Sequence, residues 1–385
     1  MRQTPDREQA EPGPARPYIG GQAVLEGVMM RAPKSFAVVV RRRDGSLHVR
    51  ERAVAEGPRG AARWPLLRGI ATLVESLRLG SEALRFSAEQ MEKDLRAQDA
   101  AAAATGGALR VLTAFGLTLL SLLTRADGEP AVPAPSGRRG GRAGTWIMLL
   151  VAIGFFVMLP QAAAQGIVRL TGWNFPVQSP PFQAITGVFK LAIVVGYMLA
   201  IRRIPDIRRV FQYHGAEHKT ISTYEAGEAL TVENARRKTT MHPRCGTTFL
   251  VMVALVSILV FIGIGQIFPR IETGNAVLNN VVFLAEKVPF LPVIVAVTFE
   301  IQRLFARHCT TGPLRALLWP GFLVQKITTA EPDDRQLEVA LGSLRATLFR
   351  QELGHAYAED YDVEFPSYEA LLAADRLRVE LRPAA

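Results

Sequence analysis

Cysteine is scarce in this chain, two in 385 residues, which excludes a scaffold stapled by disulfides. Histidine is sparse too, at six, so two histidines at metal-ligand spacing stand out. The first seventeen residues lack the apolar core of a cleavable signal; polar and Pro-rich, they read as a disordered cytoplasmic lead-in. No internal repeat is evident. No RNP, helix-turn-helix or phosphate-loop pattern accompanies the net charge of +10, so nucleic acid is not an expected partner.

Charge is also missing from long runs. Thr145–Val168 and Thr247–Phe268 carry none, Phe182–Ile201 carries only Lys190, and Val288–Phe299 is a shorter apolar run. The first three reach the ~20 residues that cross a hydrocarbon core of ~30 Å. The fourth does so only by continuing through Glu300 toward Phe305. Long buried helices of a soluble protein are the alternative, but Thr247–Phe268 has no polar face to turn toward water. The expected fold is therefore a mainly α polytopic membrane protein with about four transmembrane helices.

The basic residues orient these spans. Arg138, Arg139 and Arg142 precede the first; Arg202, Arg203, Arg208, Arg209, Lys219, Arg236, Arg237, Lys238 and Arg244 follow the second; Arg303, Arg307 and Arg315 follow the fourth. The other two connections hold Arg169 alone, and Arg270 and Lys287 balanced by Glu272 and Glu286. By the positive-inside rule both termini and the middle loop are cytoplasmic, in the cell (inner) membrane. Anionic lipid at the cytoplasmic face is the expected partner, at ~1 kcal/mol per basic residue.

Around the spans the chain reads as segments. After residues 1–17, a cytoplasmic module covers 18–96: strands Phe36–Arg42 and Leu47–Val54 about the turn Asp44-Gly45, then an amphipathic helix over Ile70–Gln90 lying on the β unit or the bilayer. Residues 97–144 are an Ala/Pro/Gly-rich linker, within which Val111–Leu123 is too short to span and reads as an interfacial or buried helix. Transmembrane hairpins occupy 145–201 and 247–307, with a cytoplasmic loop at 202–246. Asp333-Asp334 opens a helix in the segment 308–350; in the C-terminal tail 351–385, the stretch from His355 is acidic at first and loosely packed.

The chemistry concentrates in the middle loop. In YHGAEHK, His214 and His218 lie four apart on one helical face with Glu217 beside them. Two such imidazoles can take cis positions of a tetrahedral Zn²⁺, and the carboxylate can act as general base toward water. HxxEH is the inverted-zincin spacing. His242 and Cys245 stand just before the third span, where a reduced cysteine suits a thiolate ligand. Glu300, descending in the fourth span with Arg303 one turn on, reaches a similar depth; an ionisable residue inside a span is a functional hypothesis by default. Each has a plainer reading: core histidines paired with Glu217, ordinary helix-start residues, a Glu300–Arg303 salt bridge. Glu26 and Arg31 in the Gly-rich segment form either part of a site or only a turn and an ion pair. His308-Cys309 is a weaker pair, since adjacent helical residues diverge by about 100°.

GGQAVLEGVMMR (Gly20–Arg31), YHGAEHKTI (Tyr213–Ile221), HPRCGTTFL (His242–Leu250) and QKITTAEPDD (Gln325–Asp334) together resemble the YqhQ-like bacterial membrane proteins. That is a domain-of-unknown-function family labelled a predicted metal-dependent enzyme, and the resemblance covers roughly Tyr18 to Leu348. It implies integral membrane character and a metal site on the HxxEH residues. True inverted zincins are soluble peptidases, so peptidase activity would be analogy without shared fold. The expectation is a metal-dependent hydrolase with His214 and His218 as ligands, Glu217 as base, and His242, Cys245 or Glu300 completing the shell. Its rival is a non-catalytic scaffold, insertase-like factor or transporter holding a structural site or a polar network.

Overall fold

The computed structural model describes residues 16–54, 60, 64–99, 155, 158–268, 271, 273–308, 313–353 and 360–374. Its strands are β1 (Gly20–Val24), β2 (Gly27–Ala32), β3 (Ser35–Arg41), β4 (Leu47–Ala53) and β5 (Tyr361–Phe365). The helices are α1 (Leu67–Asp99), α2 (Leu159–Leu170), α3 (Pro180–Ile201), α4 (Pro205–Glu225), α5 (Val232–Arg236) and α6 (Gly246–Ile267). They continue with α7 (Ala276–Lys287), α8 (Leu291–His308), α9 (Trp319–Thr328), α10 (Asp334–Leu353) and α11 (Tyr368–Ala373). Two compact units result. One gathers residues 1–56, 212–240 and 331–385; the other takes 57–211 and 241–330.

The first unit is a five-stranded antiparallel sheet in the order β1-β2-β3-β4-β5. The Asp44-Gly45 turn works as its residues demand. Gly45 takes φ of 94°, and Asp44 accepts from the Ser46 amide at 2.9 Å. Val28, Met30, Ala37, Val39, Leu47 and Val49 turn one face of the sheet into an apolar floor. Helix α10 fills that face. Asp333 and Gln336 open it with a reciprocal capping box, at 2.8 and 2.9 Å. Small residues let it sit close: Ser343 donates to the Ala37 carbonyl at 3.2 Å, and Ser35 to the Thr347 carbonyl at 2.8 Å. Lys219 of α4 donates to the Arg236 carbonyl and pairs with Glu331, tying the middle segment to the start of the last.

The acidic tail departs from the loosely packed segment expected of it. Tyr361–Phe365 alternates apolar and acidic residues and becomes β5, paired with β4 in the register Val49↔Val363. Arg50 holds Asp362 through two nitrogens, His48 bonds its other oxygen, and Arg42 reaches Glu364. Opposite charges facing each other across the two strands stabilise the pairing. The sheet falls in the first unit and α1 in the second.

Among the described residues of the second unit, three helices are long and apolar enough to cross a membrane: Pro180–Ile201, Gly246–Ile267 and Leu278–Phe305. Close packing rests on glycine. A Cβ at Gly187 of α3 would lie 2.7 Å from Ile258 of α6, and one at Gly265 only 2.2 Å from the Gln178 carbonyl. The last of these helices starts ten residues before the Val288 expected from sequence, because Asn279, Asn280, Glu286 and Lys287 disguise its first half as a polar loop. Of the run at 145–168, residues 145–154, 156 and 157 lie outside the described residues, as do Val111–Leu123 and Ala126–Gly144; 159–168 belong to α2.

The sheet edge carries a pH dependence. Burial pushes the Asp362 carboxyl up, but the Arg50 and His48 contacts outweigh it and leave the group below its ordinary value. A lowered folded-state value means stabilisation that is present above the unfolded value of about 4 and lost as pH falls through the folded one. Protection of the β5 amides, taken relative to their intrinsic exchange at each pH, should therefore fall several-fold on acidification below about pH 4, and in Asp362→Asn at neutral pH, while β2 and β3 stay protected. Unchanged β5 protection under both conditions would contradict this account.

Candidate metal centre

Helix α4 presents two neighbouring rows of side chains. Tyr213 and Glu217, one turn apart, face the β1–β2 hairpin. The Tyr213 hydroxyl donates to Glu26 Oε2 at 3.2 Å, and Glu26 itself holds the left-handed backbone at φ of 52°. A Cβ on Gly21 would lie 2.8 Å from both Cγ and Oε1 of Glu217. Glycine at position 21 is therefore what allows the buried Glu217 carboxylate to lie against β1.

The second row is His214 and His218. Their ring centroids stand 4.4 Å apart at 64°, and His218 is almost wholly buried. Its Nδ1 contacts the Thr240 carbonyl oxygen. A carbonyl only accepts, so Nδ1 carries the hydrogen, and in the neutral ring the lone pair belongs to Nε2. Metal-ligating histidines are oriented in this way, one nitrogen donating to a carbonyl so that the other can coordinate. The predicted pair is thus adjacent in space, and one tautomer is set by its surroundings.

His242 and Cys245 lie in the second unit. Gln325 of α9 clamps this loop: its Oε1 accepts from the His242 amide and its Nε2 donates to the His242 carbonyl, both at 2.8 Å. The same Nε2 bonds Thr248 Oγ1 at 2.8 Å, fixing the loop to the first turn of α6. His242 Nδ1 accepts weakly from the Arg244 amide at 3.4 Å. Cys245 is the N-cap of α6, buried and reduced, its Sγ accepting from the Thr247 amide at 3.4 Å and 3.0 Å from Thr247 Oγ1. A helix N-terminus favours negative charge, so the position suits a thiolate.

Glu300 is engaged elsewhere. Arg68 of α1 takes both its oxygens, and the Leu66 amide adds a bond at 3.3 Å. The partner comes from 232 residues away rather than from Arg303 one turn on. Arg303 contributes charge near that carboxylate, and Arg31 lies in β2 opposite Gly20. His308 is exposed at the end of α8, its Nδ1 on the Leu304 carbonyl; Cys309 is outside the described residues. Sequence reasoning missed Gly21, Tyr213, Thr240 and Gln325. All but Thr240 lie in the four quoted motifs, which is the one signal that pointed to them. Nothing marked Thr240, whose backbone rather than side chain does the orienting.

Fold and donor residues define a class: a mainly helical protein with membrane-type spans, a small antiparallel-sheet unit, and a histidine pair fixed on a helix of that unit. The chain belongs to the family described as "Protein of unknown function (DUF1385)", whose model matches residues 64–350. It is 29% identical over 334 residues to the "Uncharacterized protein YqhQ" of Bacillus subtilis (strain 168), covering 86% of this chain and 92% of that one. No solved structure matches it.

The Gly21–Glu217 contact is measurable. Gly21→Ala should lower stability by about 1–3 kcal/mol, the usual effect of overpacking, because the carboxylate must move. Glu217→Ala removes the clash, so the double variant should recover most of that loss in thermal unfolding. Additive losses would mean that the two residues do not touch.

Proposed function

We propose that the protein is a multi-pass cell (inner) membrane metalloenzyme that hydrolyses its substrate at a Zn²⁺ site. His214 and His218 are two ligands, and the sequence offers Cys245 or His242, both ahead of the third apolar run, for a third. The observation that carries this reading is the hydrogen bond from His218 Nδ1 to the Thr240 carbonyl, which leaves Nε2 as the coordinating atom beside the His214 ring. Imidazole nitrogen and thiolate sulfur are the donors Zn²⁺ prefers. Glu300 is left out, since its oxygens are held by Arg68.

A bound Zn²⁺ would supply Lewis acidity at the bond to be cleaved. The rest of the work falls to side chains. Glu217 is the general base, taking a proton from the attacking water and returning it to the leaving group. Gly21 and the β1 backbone position that carboxylate, and the Thr240 carbonyl holds the His218 ring. The arginines flanking the apolar runs support cytoplasmic termini and contact with anionic lipid.

Cys245 favours a second reading. Thiolate ligands are typical of closed structural zinc sites, in which the same residues would hold a scaffold or transporter together. Metal analysis of the purified chain should find about one zinc per wild-type chain and much less in the His214→Ala/His218→Ala variant. Equal, negligible zinc in both sinks the metal site. Glu217→Gln separates the readings: an enzyme keeps its metal and loses complementation of a deletion strain, whereas a structural site keeps both.

A further inference from the structure

A second polar cluster lies inside the apolar part of the second unit. Lys190 stands halfway along the 22-residue α3, in a helix otherwise free of charge. Lys287 is buried at the end of α7, where a 3-10 turn over Val288–Phe290, containing Pro289, interrupts the apolar stretch Leu278–Phe305. Both line one cavity, enclosed by α2, α3, α6, α7 and the start of α8. An irregular turn inside a span is tolerated where it lines a cavity, and such breaks recur at substrate sites of membrane proteins.

The two ammonium groups have few oxygens to bind. Lys190 donates to Ser257 Oγ at 3.3 Å, and Lys287 to Gln183 Oε1 at 3.1 Å. Ser257 in turn donates to the Ala254 carbonyl, and Gln183 donates through its NH₂ to the Val177 carbonyl, so both acceptors are held facing the lysines. Around them the contacts are aromatic faces. Lys287 lies 4.4 Å from the Phe283 ring and 4.9 Å from that of Phe261, and Lys190 lies 5.7 Å from the Phe261 ring. No carboxylate lines the cavity among the described residues. A buried and a half-buried lysine with no carboxylate in the lining make a receptor for an anion.

The walls identify the rest of the ligand. Ile258, Leu284 and Leu291 continue from the lysines as apolar lining. Val288 and Leu291, which line the cavity, are apolar and 54% and 49% exposed, at the start of the second half of the apolar stretch Leu278–Phe305. We propose that this cavity binds an anionic amphiphile from the bilayer, its carboxylate or phosphate oxygens on Lys190 and Lys287 and its acyl chain along the apolar wall. The shared chemistry is an anionic head on a hydrocarbon chain; a free fatty acid and an anionic phospholipid are its two sources.

Native mass spectrometry of the full chain in mild detergent tests this with oleate, dioleoylphosphatidylglycerol and dioleoylphosphatidylcholine. Wild type should bind oleate or phosphatidylglycerol at least tenfold more tightly than phosphatidylcholine, and whichever is preferred names the source. Lys190→Met/Lys287→Met should lose that preference tenfold or more, and Lys190→Arg should keep it. A photoreactive fatty acid on wild type gives a readout independent of any variant's folding, and should label peptides from Pro180–Ile201 or Leu278–Phe305. Equal binding of all three lipids, an unchanged preference in the double variant, or labelling elsewhere would overturn the proposal.

Discussion

The packing of α10 on the apolar face of the sheet holds the first unit together. The chain leaves that sheet after Ala53, returns to the unit at Gln212 for the rest of α4, and returns again at Glu331 for α10 and β5. Closing such long excursions is less demanding than it looks, since the entropy of loop closure grows only by about 0.6 kcal/mol per doubling of length. What the returning segments must supply is burial. Leu337, Leu341 and Leu344 of α10 are wholly buried, as are Val28, Met30 and Val39 of the sheet. At roughly 1.5–3 kcal/mol per large side chain removed from water, a handful of such contacts outweighs the closure term.

The candidate site inherits its geometry from that packing. With α4 in the first unit from Gln212 on, Tyr213 and Glu217 meet the β1–β2 hairpin, at a point where only glycine at 21 leaves room. Glu26 occupies the turn in a left-handed conformation that non-glycine residues rarely adopt, and a hydrogen bond from Tyr213 meets its carboxylate. Backbone strain of this kind persists only where the surroundings over-determine it, and it concentrates at functional positions. The histidine row is then left to the next face of the helix, where Thr240 orients it.

The second unit treats its charges in two different ways. Glu300 is neutralised by a guanidinium from α1, a partner chosen by the fold, and this accounts for a carboxylate within an apolar helix. Lys190 and Lys287 have no such counter-charge among the described residues; they are held by a hydroxyl, an amide oxygen and aromatic faces. A helix of the same apolar character can thus carry a closed ion pair at one position and an open cationic pair at another, and the two cannot be told apart by hydropathy.

Much was legible in the residues themselves. Runs with at most one charge mark Pro180–Ile201 and Gly246–Ile267 as membrane-type helices, because no polar face remains to be solvated. The Asp44-Gly45 turn marks its hairpin, since glycine alone enters that backbone region freely, and four-residue spacing places His214 beside His218. Family membership was legible in the four motifs taken together. Only the tertiary structure decided which distant residues would meet. Arg68 with Glu300, Gly21 under Glu217, β5 on β4 and the two lysines of one cavity are long-range pairings. Periodicity reports the face a residue occupies on its own element, whereas a partner hundreds of positions away is selected by packing and charge only once the elements have come together.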